Sequence, residues 1–154
     1  MNVYSLASIF ASVFCLVLGS FVFLRGVTRP DRRTFGLASV LTGIWTSFPF
    51  FLSIAPSDGG GLLGVRLLYL VAVFVPAAWL HFMTTVVSPE RTPLRRTAIL
   101  VSYGTGIFFI PWLSLNSFVQ GVQRFAPHFA VVPGPFYVVF IITFTGIFSY
   151  ISAC

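Results

Sequence analysis

The chain has 154 residues, of which 57% are hydrophobic and 8% charged, with a mean hydropathy of +0.98. That balance excludes an ordinary soluble domain and reads as an integral membrane protein. All nine basic residues are arginine, set against three acids for a formal net charge of +6, and seven of them gather in two short loops rather than on one polar face, which argues for membrane orientation and against nucleic acid as a partner.

The N-terminus, MNVYSLASIF, has neither a basic leader region nor a small-residue cleavage site, so the first apolar segment is expected to be retained. Residues 3–24 form that segment, about 33 Å long as a helix and matched to the hydrocarbon thickness of a bilayer. Ala7, Ala11, Gly19 and Ser20 are small positions open to close helix approach, and Ser8 and Ser12 are expected to bond their own helix backbone. Cys15 lies within this segment and Cys154 in another, so no disulfide framework is expected.

The loop Arg25–Arg33 carries four arginines, and Pro30 interrupts a continuous helix through it. The second span, 34–54, contains Trp45 and then Pro49, which removes a backbone donor and favours a kink. APSDGGGLL follows as a flexible turn with Asp58 as its only charge, lacking the lysine of a phosphate loop.

The third span, 63–87, holds the chain's least ordinary membrane chemistry: Arg66 near one end, Pro76 in the middle, Trp79 and His81 toward the other, and Ala72, Ala77 and Ala78 as small residues. The loop 88–96 adds three more arginines, which puts both basic loops in the cytoplasm by the positive-inside rule. The fourth span, 97–115, contains Gly104, Gly106 and Pro111. Beyond it, Phe118, Val122 and Phe125 recur at helical spacing with Gln120, Gln123 and Arg124 off that face, which predicts a short interfacial helix ended by Pro127. The fifth span is 134–153. The expected fold class is therefore all-α: a single polytopic bundle of five transmembrane helices, N-out and C-in, with an interfacial helix between the fourth and fifth.

His81 invites readings as a metal ligand, an axial ligand or a proton carrier, but has no second histidine or carboxylate at helical spacing, so a hydrogen bond to a neighbouring helix is the expected role. Arg66 is expected to snorkel to water and pair with a lipid headgroup or Asp58, and His128 to sit solvated in a loop. Phe48, Phe50, Phe51, Phe74, Phe82, Phe108 and Phe109, with the three membrane prolines, are candidates to line a pocket for a lipid, quinone or carotenoid. No Ser/His/Asp set, carboxylate pair or metal spacing points to catalysis.

The stretch RLLYLVAVFVPAAWLHF, preceded by IWTSFPFFLSI and followed by VVPGPFYVVFIITF, resembles the amino-terminal seven-helix sensor region of bacterial histidine kinases. The resemblance implies a non-catalytic input module in the bacterial inner membrane with an N-out topology. Five spans stand where that family has seven, and no phosphoacceptor or ATP-binding motif is present, so the chain is expected to be either part of a longer sensor or a sensor-like bundle acting alone. Two functions follow: a module recognising a hydrophobic signal or a membrane partner, or an accessory structural subunit of a respiratory, photosynthetic or transport complex. Either needs other membrane proteins as partners. A channel or transporter would need a polar path that the boundary positions of Arg66 and His81 do not supply.

Overall fold

The computed structural model describes residues 3–54, 58–87, 93–113, 115–125 and 128–153. The expectations placed on Ser88–Thr92, Pro127 and Cys154, and on the side chains of Asp58, Arg124, Phe125 and His128, lie outside the described residues. Six helical segments and one hairpin run in the order α1 (Val3–Arg25), α2 (Pro30–Ser53), α3 (Asp58–Ala72), α4 (Val75–Val87), α5 (Pro93–Leu113), β1 (Val119–Phe125), β2 (His128–Pro133) and α6 (Pro135–Ala153). Among the described residues, three stretches are both long and apolar enough to cross a membrane: Val3–Arg25, Pro30–Ser53 and Gly59–Val87, the last spanning α3 and α4. Pro135–Tyr150 is apolar but shorter.

The helices begin where the chain chemistry allows. Pro30 opens α2 with Asp31 in its first turn, where a missing N–H costs nothing and a negative charge meets the positive end of the helix dipole. Pro135 likewise opens α6, without an acid in its first turn. Ahead of it, Gly134 lies so close to the backbone of Ser117 that a Cβ would collide with it. Its N–H donates to Phe118 O at 2.9 Å, and Phe136 N–H donates to Ser117 O at 3.1 Å, so the end of the hairpin is stitched to the turn before it.

The interfacial helix expected around Phe118–Phe125 is not formed. In its place β1 and β2 pair antiparallel, with Val122 opposite Val131 and an irregularity between Val119 and Gly121. The physical reason is that the segment finds a partner in HFAVVP, whose adjacent β-branched valines and pre-proline Val132 favour extended backbone. The peptide groups of each strand that face the other are then paired across the hairpin. Phe118 and Val119, both 0% exposed, are driven inward rather than along an interfacial helix face.

α1 packs principally on α2, whereas α4 touches α2, α5 and α6. The two seams are built differently. On α1 the buried residues are Ser5, Ser12 and Gly19, seven apart, which is the heptad spacing of a left-handed helix pair. Gly19 meets Gly36 and Ser39 of α2 so closely that a Cβ on it would lie 2.8 Å from that of Ser39. Ser12 donates across this seam to Gly43 O at 2.7 Å, so its expected bond within α1 is replaced by one between helices. Ser8 does bond its own helix, at Ser5 O. Ala7, Ala11 and Ser20 are exposed and take no part in the seam. The second half has an aromatic core, centred on Tyr69, Phe109, Phe118 and Phe140 with Val65, Ala72, Val73 and Val119.

Candidate functional site

The third apolar run is not one helix. α3 ends at Ala72 and α4 starts at Val75, with Val73 and Phe74 in a turn between them. Pro76 falls in the first turn of α4, a position that suits proline, but its missing N–H strips the Ala72 carbonyl of its ordinary donor. The turn is closed by Val73 N–H to Tyr69 O at 3.1 Å and Phe74 N–H to Val71 O at 3.0 Å, and helical bonding resumes with Ala78 N–H to Phe74 O at 3.0 Å. Among the described residues no hydrogen bond reaches the carbonyl of Ala72 or Val73. Irregular backbone at membrane depth is tolerated where protein packs around it, and Val75, Pro76 and Ala77 are almost wholly buried. By contrast, α2 continues through Pro49 and α5 through Pro111.

Gly106 of α5 presses on this break. A Cβ there would lie 2.9 Å from Phe74 Cε1 and 3.2 Å from Val73 O. Beside it opens a crevice lined by Val73, Pro76, Gly106, Phe109, Phe140 and Thr143, with the hydroxyls of Ser102 and Thr105 at its edge. The three hydroxyls donate to carbonyls of their own helices, Ala98, Val101 and Val139. Their lone pairs and the Val73 carbonyl are thus what the crevice offers to a polar group. It holds about one water-sized group, far less than a quinone ring or a carotenoid requires.

The structure distributes the other candidates. Trp79 donates from Nε1 to Thr42 Oγ1 at 2.9 Å and stands edge-on to Phe35 and Phe82, tying α4 to α2. His81 packs edge-on to Tyr103 of α5, with ring centroids 6.0 Å apart, and its carbonyl accepts from Thr85, whose hydroxyl in turn accepts from Arg95. Trp45 lies 6.3 Å from Phe144 of α6, ring to ring. Arg66 donates from Nη2 to Asn116 Oδ1 at 3.0 Å. Of the phenylalanines, Phe74 and Phe109 come to the break, Phe82 joins Trp79, and Phe51 and Phe108 are exposed. Phe48 and Phe50 are half-buried. No group of His, Cys, Asp or Glu that could hold a metal ion occurs among the described residues.

The residues that organise this half of the molecule include ones the sequence reading passed over. The hydroxyl of Tyr69 donates to that of Tyr137 at 3.0 Å. The ring of Tyr69 also lies edge-on to Phe118 at 5.3 Å and to Phe140 at 5.7 Å. Trp112 stacks on Phe136 at 4.1 Å. The one signal available beforehand is the helical spacing of Tyr137, Phe140, Phe144 and Phe148, whose neighbouring rings touch along α6.

A model of the N-terminal 7TM region of histidine kinase matches residues 7–153. Neither the curated proteins nor the solved structures yielded a match. The family match covers nearly the whole chain, and a mostly helical fold with membrane-length apolar helices agrees with it. The chain belongs to the family of N-terminal seven-transmembrane regions of histidine kinases.

Proposed function

We propose that this chain is a non-catalytic input module of a membrane signalling kinase, and that a hydrophobic signal or a membrane partner acts on it where the third span is broken. The observation that carries this reading is the break itself: a turn of two residues, Val73 and Phe74, joins two half-helices. The half that follows, α4, packs on α2, α5 and α6 together. A signal or partner that presses on the surface of α4 or α5 beside Gly106 would favour one angle between the halves over another, and any difference in affinity for the two angles shifts the population between them. The four arginines of 25–33 and the three of 88–96 support placing both loops in the cytoplasm, where a kinase would be reached.

The test takes the protein as the cell makes it, isolated in mild detergent and moved into liposomes. ATP-dependent histidine phosphorylation, on the same polypeptide or on one that accompanies it, is expected. It is also expected to change in Gly106→Leu, whose side chain overfills the crevice and pushes on Phe74 and the Val73 carbonyl. Recovery in a stoichiometric respiratory, photosynthetic or transport assembly without kinase activity would make the chain an accessory subunit and end this reading.

A further inference from the structure

Arg66 is a charged residue in a membrane-length apolar stretch, and among the described residues no carboxylate answers its charge. It lies on α3, and the stretch Gly59–Val87 has 29 residues, about 43 Å as a helix against a hydrocarbon core of about 30 Å. Arg66 is seven residues in from Gly59, about 10 Å along the axis, so its side chain reaches the level of the lipid phosphates by extending toward the nearer surface.

Of its five N–H donors, Nη2 meets the neutral oxygen of Asn116 at 3.0 Å. Nε is buried and has no hydrogen-bond partner. No carboxylate pairs with the side chain among the described residues. Nε–H and one N–H of Nη2 form a single edge of the guanidinium, and that edge fits two oxygens of one oxyanion side by side. Among the described residues one of the two donors meets an amide oxygen and the other meets no acceptor. A covered, unpaired donor on a charged group carries its full desolvation cost, so an arrangement that supplies the second oxygen is favoured over this one.

We infer that Arg66 is a phosphate-binding residue at the hairpin end of the bundle, with Asn116 standing in for one phosphate oxygen until the ligand displaces it. Asn116 is exposed and lies in the turn between α5 and β1, so its side chain can swing away without disturbing the core. The same turn is bound to the start of α6 through Ser117 O and Phe118 O. Occupation of the site is therefore felt where α3, the hairpin and α6 meet. The depth of Arg66 makes a lipid phosphate the expected ligand, and a soluble phosphate shares the chemistry.

The experiment is native mass spectrometry of the full chain in a phosphate-free maltoside detergent, titrated with phosphatidic acid or with the matching diacylglycerol, which lacks the phosphate. Replacing a charge-assisted pair by a neutral amide weakens binding by about tenfold or more. The first phosphatidic acid is accordingly expected to bind Arg66→Gln about tenfold more weakly, with diacylglycerol unaffected. Asn116→Ala is expected to bind phosphatidic acid more tightly than the unaltered chain, a gain that a misfolded variant could not produce. Equal binding to Arg66→Gln and the unaltered chain, or weaker binding to Asn116→Ala, overturns the inference. Inorganic phosphate that displaces the lipid makes the soluble anion the ligand, and failure to displace it makes the lipid the ligand.

Discussion

The α1–α2 pair and the half formed by α3 to α6 solve the same problem in opposite ways. In the first, Gly19, Gly36 and Gly43 bring two backbones together: a side chain on them would meet the backbone atoms Gly19 O, Gly36 O, Val40 N and Leu16 N, along with Ser39 Cβ, Phe23 Cβ and the Leu16 side chain. In the second, the contacts are ring edges: Phe109 lies 6.1 Å from Phe118 and 5.7 Å from Phe140, centroid to centroid, at steep interplanar angles. Helices in lipid gain little from hydrophobicity and hold together by close fit and a few hydrogen bonds. A backbone seam has one fit, because peptide groups cannot rotate aside. Rings meeting edge to face can slide over a range of distances while keeping contact. On the proposed reading the first half is therefore the fixed frame, and the second, which also contains the broken span, is the half suited to change shape.

The largest expected effect breaks the second half. Phe118 is 0% exposed and contacts Tyr69, Phe109, Tyr137 and Phe140. Phe118→Ala should cost about 3 kcal/mol, read from unfolding in mixed dodecyl sulfate micelles. The next largest breaks the first half. A Cβ on Gly36 would sit 2.6 Å from Phe23 Cβ and 2.8 Å from Gly19 O, so Gly36→Ala should cost about 2 kcal/mol in the same assay. A cost near zero would mean that the seam opens freely, and the contrast between frame and movable half would be lost.

Much of this architecture was legible and some was not. Long apolar runs bounded by arginine, proline and glycine declare helices, because membrane-depth backbone must bond within its own segment. Gly19 was legible as a contact residue, but Ser12 was read as bonding its own helix because its real acceptor, Gly43 O, is 31 residues away and visible only once α2 has folded back. The hairpin was misread because Phe118, Val122 and Phe125 fit a helical period over so short a stretch that pairing with a later segment overrides it. Pro49, Pro76 and Pro111 look alike in the sequence, yet the helix is interrupted only ahead of Pro76 among these three. Gly106 and the Phe74 ring meet at that interruption, and nothing local announces the meeting.

A smaller effect sharpens the comparison by asking how much of the aromatic half depends on polarity. Tyr69 and Tyr137 share one hydrogen bond, and such bonds between membrane helices average about 0.6 kcal/mol in double-mutant cycles. Tyr69→Phe, Tyr137→Phe and the double variant should yield a coupling of about that size. A coupling several times larger would make this pair, rather than ring packing, the tie between α3 and α6.

The smallest effect separates two glycines of α5 that stand two residues apart. Nothing lies within 4 Å of a Cβ built on Gly104, so alanine there adds no collision and removes conformational freedom from the unfolded chain. Gly104→Ala should stabilise the protein by about 0.5 kcal/mol. At Gly106 the same gain is opposed, since the new methyl meets Phe74 Cε1 at 2.9 Å and Val73 O at 3.2 Å. The ring can turn away at modest cost, but the carbonyl belongs to the broken backbone and moves only if the break moves. Gly106→Ala should therefore fall below Gly104→Ala in stability while altering the angle between α3 and α4, measurable as a changed distance between spin labels at Leu63 and Val86, both exposed. If the two variants are equally stable and that distance is unchanged, α5 does not bear on the break, and the shape change must be sought on the α2 or α6 side of α4.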